Sequence, residues 1–473
     1  MKLFKSLLLG SAAGLVVVSG ASAADLGVKK PVPAEYVKIC SAHGAGFFYV
    51  PGSSDVCMQI GGFIRTEYMY TQTRTRADDT SSFRGYGRIT LDTRQTTSYG
   101  LLRTFIRYDA LASGGSFAAN GTVGSNIGTN AYATPNNTNA LLNRAFIQFY
   151  TGTAGYFMAG RMVSAFDFYA NDLSFSHVSG SDRSNVNLFS YTATFGQGFS
   201  ATLSVEDQWL GRRQAGTGLA TVAGLTYSGT AGTAQAQAGQ ALPDIVGALA
   251  VNQSWGSAQL SGAVHQLRLS NRDLAGNYVD TSYGYAIQGG VKLNLPMIAA
   301  GDVLWLQAAY GNGAVDYAGT ARNAVDVSPL GSPRAAAVVA DAYVDSLGKV
   351  QKSNAWTVVA AFQHNFTPNW QMMLYGSYGK VSYNGSGANR IGTLAGSAFN
   401  GARAGYVDYT VAALGGRVAW YYAKNFYIGQ EVQYTLLDPR GRVVNPYDTP
   451  APAVGTKGSF GTWSARLRFH RSF

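Results

Sequence analysis

The sequence predicts an all-β fold, a transmembrane antiparallel β-barrel of about sixteen strands. Three observations carry this. First, Trp463, Ala465, Leu467 and Phe469 alternate with Thr462, Ser464, Arg466, Arg468 and His470, and the chain ends on an aromatic, Phe473. A half-polar strand sits in hydrocarbon only where closure pairs every backbone group and one face meets a wet interior. Second, beyond the N-terminal region no run of about eighteen apolar residues occurs, which excludes a helical membrane protein. Third, 58 Gly, 29 Tyr and 23 Phe with 13% charged residues suit short turns, aromatic girdles and a wet lumen. A soluble secreted sandwich would also be glycine-rich and alternating, but many similar segments with aromatics at their ends speak against it.

The chain opens with Lys2 and Lys5, an apolar run from Leu7 to Val18, and Ala21, Ser22 and Ala23 before Ala24. These are the parts of a secretory signal peptide over residues 1–23, cleaved after Ala23. Residues 24–57 are expected to form an N-terminal periplasmic segment and residues 58–473 the barrel. Cys40 and Cys57 are the only cysteines, and in an exported chain a single disulfide is the default. It would close an 18-residue loop, worth roughly 3 kcal/mol. Two thiols with no matching histidine spacing make a poor zinc site, and no metal or cofactor is expected.

Period-two segments bounded by turn residues follow in order. Met58 to Tyr70 puts Ile60, Ile64, Tyr68 and Tyr70 in one phase and Arg65 and Glu67 in the other, with Phe63 a misfit in the polar phase. Phe83 to Arg94 sends Ile89 and Leu91 outward and Arg88, Thr90, Asp92 and Arg94 inward. Leu101 to Asp109 sends Leu102, Ile106 and Tyr108 outward and Arg103 and Arg107 inward. Asn143 to Tyr150, Gly155 to Val163, Val186 to Phe195 and Phe199 to Glu206 come next. The last two are joined by Gly196, Gln197 and Gly198, a link short enough for a periplasmic hairpin. Asp244 to Trp255 then pairs with Ser257 to Arg268. Tyr283 to Leu293, Val303 to Gly311, Ala355 to Phe366, Trp370 to Tyr378, Tyr409 to Tyr422, Phe426 to Leu436 and Gly461 to Phe473 complete the set. An even tally returns both ends to one side of the membrane. The long connections, Ala112 to Leu141, Gln208 to Pro243 and Asn312 to Asn354 among them, are rich in small polar residues and read as external loops.

Between the fifth and sixth strands, Phe166, Phe168, Tyr169 and Phe175 surround Asp167, Asn171 and Asp172. Folding inward against the barrel wall would bury the rings and turn both aspartates to the lumen; an ordinary external loop fits the composition equally. Opposed to those acids, the lumen phase would supply Arg65, Arg88, Arg94, Arg103, Arg107, Arg144 and Arg161, with Arg466 and Arg468 from the last strand. Opposite charges across a narrow aqueous gap set up a transverse field that sorts solutes by size, dipole and charge. About half of these arginines are expected simply to pair with Glu67, Asp92 or Asp109 and hold the wall.

Without Lys2 and Lys5 the chain keeps 34 bases and 25 acids, a mature charge of +9. The bases are dispersed singly, which argues against nucleic acid and leaves anionic lipid or an anion-attracting lumen. His43, His177, His265, His364 and His470 stand alone in the sequence. No nucleophile elbow, phosphate loop or paired metal ligand accompanies them, so no enzymatic function is expected.

The chain resembles the alphaproteobacterial general-diffusion porins of the rhizobial type over nearly its whole mature length. The most specific parts are Tyr36 through Cys57, then Gly160, Arg161 and Ser164 through Phe168, then Leu188 to Glu206, and the basic strand ending in Phe473. The resemblance implies a sixteen-stranded homotrimeric porin whose third external loop folds into the pore. Its eyelet acids would be Asp167 and Asp172, facing Arg65, Arg88, Arg103 and Arg107, and the cysteine pair would staple the N-terminal segment at the periplasmic side. Phe473 would be the assembly signal read by the barrel-assembly machinery, with outer-membrane lipid and lipopolysaccharide around the barrel. Arg471 departs from the usual ending, where an aromatic is common, but its long stem can reach the interface. The expected function is a passive channel for small hydrophilic solutes and ions across a bacterial outer membrane. Its rivals are a channel selective for a sugar or an anion and, from another class, a barrel enzyme.

Overall fold

A computed structural model describes residues 38–72, 80–114, 137–152, 154–168, 174–176, 178, 180, 185–207, 238–270, 275–319, 340–344, 349–385, 391–394, 397–403, 407–441, 443–445 and 455–473. The expected leader, residues 1–23, lies outside them. Among the described residues sixteen antiparallel strands close into one barrel. They are β1 (Val56–Thr71), β2 (Ser81–Thr97), β3 (Gly100–Ser113), β4 (Asn137–Tyr150), β5 (Gly155–Val163), β6 (Asn185–Phe195), β7 (Phe199–Glu206) and β8 (Asp244–Gln253). The second half comprises β9 (Gly256–Leu267), β10 (Ser282–Asn294), β11 (Val303–Asn312), β12 (Val350–Thr367), β13 (Trp370–Tyr383), β14 (Tyr409–Ala423), β15 (Phe426–Pro439) and β16 (Phe460–Ser472). Each expected strand is present. No described helix is long and apolar enough to cross a membrane.

Closure joins β1 to β16, from Phe63 opposite Ser472 to Thr71 opposite Ser464. Phe473 continues the ladder: its N–H donates to the Gly62 carbonyl at 3.1 Å and its own carbonyl accepts from Gly62 N–H at 3.2 Å. The outward phase is layered. Ile64, Ile89, Ile106, Leu260, Leu374 and Leu414 form an exposed aliphatic belt between rings of aromatics. Trp370 and Tyr378 stand eight residues apart on β13. That is about 26 Å along a strand and about 20 Å across a membrane at a tilt of about 40°. The belt approaches the apolar band of about 25 Å seen in outer-membrane barrels, and its aromatic rims have the amphipathic rings that settle at headgroups.

Short turns and long connections alternate as expected, yet several strands run past the expected limits on the long-loop side. β4 starts at Asn137 rather than Asn143, β12 at Val350 rather than Ala355, and β13 ends at Tyr383 rather than Tyr378. Backbone pairing there continues above the apolar belt, where nothing requires outward residues to be greasy. The seventh and eighth long loops also pair with each other, through Arg403 opposite Val443.

The N-terminal residues extend the wall below the closure. Phe48 and Tyr49 pair with Met58 and Cys57, on the edge of β1 that β16 leaves open. Cys40 and Cys57 form a disulfide with Cα atoms 6.0 Å apart, both buried with Phe47. His43 stands beside the sulfurs, but joined sulfurs offer no thiolate for a metal. Asp55, just before β1, accepts hydrogen bonds from Ser53 and the Gln95 side chain, which hold its carboxyl below the usual range.

Candidate pore constriction

The third long connection turns back into the barrel at its described residues, 164–168, 174–176, 178 and 180. Phe166 is fully buried, and its carbonyl accepts hydrogen bonds from Gln259 at 3.1 Å, Ser261 at 2.7 Å and Gln288 at 2.7 Å, all on the inner faces of β9 and β10. Ala165 N–H donates to Glu206 at 2.9 Å. The Phe168 ring lies on Gly290, where a Cβ would stand 2.2 Å from it, and 5.5 Å from the Trp305 ring. Further along, Phe175 and Ser176 donate their N–H groups to the Glu431 carboxylate at 2.5 and 2.6 Å. The Phe175 carbonyl accepts from Arg466 at 2.7 Å, and the Arg468 guanidinium sits 3.7 Å from its ring. Gly429 seats that ring, for any Cβ there would approach it to 2.6 Å. Gly180 donates to the Gly319 carbonyl at 3.1 Å and accepts from Gln307. The segment is therefore a strap hydrogen-bonded to the inner wall, with backbone groups of Ala165, Phe166, Phe175, Ser176 and Gly180 answered by wall side chains. Composition had left an external loop equally open; Phe166 and Phe175 are buried inward, and Phe168 partly so.

The sixth long connection, expected to be external, also packs inward at its described ends. Val315, Asp316, Tyr317 and Ala318 are buried in a short 3₁₀ turn. Tyr317 stacks edge-on to Phe166 at 4.7 Å and donates to Asp244 at 2.6 Å. His265, expected to stand alone, lies between Asp244 at 3.0 Å and Asp341 at 3.7 Å. Both ring nitrogens thus face carboxylates rather than a nucleophilic hydroxyl. The reason is burial: apolar Ala314 and Tyr317 join Phe166 in one cluster.

The four expected eyelet arginines line the inner face of β1 to β3. Arg88 and Arg107 both pair with Asp109, at 2.7 and 3.0 Å, and Arg103 with Asp92 at 2.8 Å. Arg94 shares Asp92 at 2.9 Å, while Arg468 shares Glu67 with Arg84. Arg65 donates Nε to His470 Nδ1 at 3.3 Å and stacks on Phe63. Phe63, the misfit in the polar phase, is the floor on which Arg65 and Arg88 rest, each 4.6 Å from its ring. Asp167 stands in the strap between Phe166 and Phe168, partly exposed. Asp172, Tyr169, Asn171 and His177 lie outside the described residues.

Exposure on this wall is unequal. The side chains of Glu67 and Asp109 are 0% exposed and that of Asp92 9%, whereas Arg88 keeps 20% and Arg94 and Arg103 27% each. At Asp92 and Asp109 the carboxylates lie behind the guanidiniums, so the lumen meets the positive member of those pairs, whereas Glu67 and its partners Arg84 and Arg468 are all buried.

One lumen assignment is corrected. Arg161 pairs across from Ala145 and Asn187, in the phase of the exposed Phe157, and so belongs to the outward face. On β5 both phases carry apolar residues, Phe157 and Ala159 against Met158 and Met162, so alternation offers no contrast there. Sequence reasoning also missed Arg84 as a lumen base and Glu431 as an anchor. Arg84 shares the phase of Arg88 and was legible; Glu431 could not be assigned without the strap.

Comparisons with known proteins agree with this geometry. A family model described as "Porin subfamily" matches residues 25–457. Porin Omp2b of Brucella melitensis is 28% identical over 393 residues, covering 76% of this chain and 99% of that protein. Porin Omp2b of Brucella neotomae is 29% identical over 316 residues, covering 66% of this chain and 74% of that one. Among solved structures, the outer membrane channel DcaP of Acinetobacter baumannii superposes with a TM-score of 0.54 at 14% identity, covering 89% of this chain and 98% of that one. That last likeness concerns the fold alone.

Proposed function

The chain belongs to the porin subfamily and is an outer-membrane diffusion channel, and from that premise we propose that its conduction is set between the strap bearing Asp167 and Asp172 and the arginine wall of β1 to β3. The observation that carries this reading is the unequal exposure of the wall charges. Acids buried behind partly exposed guanidiniums leave a positive face toward permeant ions, and charge in a narrow lumen acts on them directly. The channel passes small hydrophilic solutes with a preference for anions, and no residue in it is assigned a catalytic role. It assembles as a homotrimer in lipid and lipopolysaccharide, with Phe473 presented to the barrel-assembly machinery.

Reversal potentials in a salt gradient across a planar bilayer test the constriction. Neutral residues at Arg65, Arg88, Arg103 and Arg107 should move selectivity toward cations, and neutral residues at Asp167 and Asp172 the other way. Unchanged potentials in both sets would remove these residues from the constriction. Native mass measurement of the purified protein tests the trimer.

A further inference from the structure

Five consecutive strands across the closure seam each turn one aromatic ring inward, and the rings touch. From Tyr86 on β2 the centroids run 5.1 Å to Phe63 on β1, 4.7 Å to His470 on β16, 4.9 Å to Tyr427 on β15 and 5.4 Å to Tyr421 on β14. Aromatic surface in a water-filled lumen is unfavourable unless something covers it. Phe63 and Tyr86 are covered, by the guanidiniums stacked on them, and are only 7% and 9% exposed. His470, Tyr427 and Tyr421 remain half-buried, with Tyr427 and His470 nearly parallel at 19° and the Phe175 ring of the strap 6.2 Å from Tyr427, so that the arc is left open on its His470 and Tyr421 flanks.

Arg65 supplies a second, independent observation. Its neighbours on the wall, Arg84, Arg88, Arg103 and Arg107, are each held by a carboxylate. Among the described residues Arg65 forms no ion pair, because Glu67, the acid nearest it on β1, is taken by Arg84 and Arg468. Its Nε is spent on His470 and its plane on Phe63, which leaves the terminal nitrogens as donors for an anion beside the ring arc.

We propose that Arg65 and the arc of His470, Tyr427 and Tyr421 form a lumen subsite for aromatic carboxylates. The solute's ring lies against the arc and its carboxylate meets the Arg65 guanidinium. Either element alone would hold a simple anion or an apolar ring weakly; together they select molecules that carry both. This rests on the channel reading and gives it a solute class.

The test uses the full-length protein in a planar bilayer at fixed potassium chloride. Benzoate should reduce the single-channel current in a saturable manner, whereas acetate, without a ring, and benzyl alcohol, without a charge, should not at equal concentration. This comparison needs no variant. Replacing Tyr421→Leu and Tyr427→Leu together removes both rings while keeping an apolar side chain and strand pairing, and should raise the half-blocking concentration of benzoate about fivefold. Arg65→Gln should remove the advantage of benzoate over benzyl alcohol. Each variant's own chloride current is the baseline for its block. Benzoate acting no better than acetate on the unaltered protein, or a block unchanged in both variants, overturns the subsite. An absence of any chloride current would instead count against the channel reading itself.

Discussion

Glu431 on β15 accepts the backbone N–H of Phe175 at 2.5 Å, although 256 positions separate the two residues in the chain. The same carboxylate takes Ser176 N–H, and Arg466 on the adjacent strand takes the Phe175 carbonyl. Donors and acceptor of one short stretch of strap are thus answered by two neighbouring strands. The strap is anchored near the seam, while Phe166 anchors its other end on β9 and β10.

Glu431→Gln should loosen this end without opening the barrel. An amide keeps one acceptor oxygen but points an NH2 group at N–H donors. The anchoring lost is about 1–3 kcal/mol. Single-channel records should show more open-channel noise and brief closures. A trace as quiet as that of the unaltered protein would mean that the contact does not hold the strap.

Asp109→Asn removes the shared partner of Arg88 and Arg107 and leaves the wall one positive charge richer. Anion preference in the reversal potential should rise. Breaking a buried pair should also destabilise the barrel by about 3–5 kcal/mol, read as a lower temperature of loss of the folded band on a gel. A shift toward cations would contradict the arrangement of charges described above.

Reducing the Cys40–Cys57 disulfide should leave conduction intact, since the bridge lies at the rim where Phe48 and Tyr49 extend β1. The cost, about 3 kcal/mol in the chain-entropy account, falls on the N-terminal segment. Limited proteolysis should then cut among residues 38–56. Free thiols in the protein as isolated would refute the bridge.

Deleting Phe473 removes two backbone hydrogen bonds to Gly62 and the exposed terminal ring. Export of the precursor should be unaffected, and the yield of folded barrel in the membrane should fall. A chain ending at Ser472 that folds at normal yield would show that the terminal aromatic is dispensable.

The sixteen strands and most of their facing were legible in the sequence because hydrocarbon on one side and water on the other impose a period of two. Ile60 and Ile64 could only point away from Arg65 and Glu67. Where that contrast fails, the sequence was silent. Arg161 lies on a strand apolar in both phases, and only its register opposite Ala145 turns it outward. The strand ends above the apolar belt were short by several residues for the same reason. Which arginine meets which acid was equally closed to sequence, since Asp109 stands directly opposite Arg88 only through the pairing of β2 with β3. The fate of the strap was undecided by its own composition. Its rings and aspartates fit either a wet loop or a buried one, and the groups that choose, Gln259, Ser261, Gln288 and Glu431, are brought to it by closure of strands far along the chain. Local alternation determined the wall; long-range pairing of buried backbone groups decided what the wall encloses.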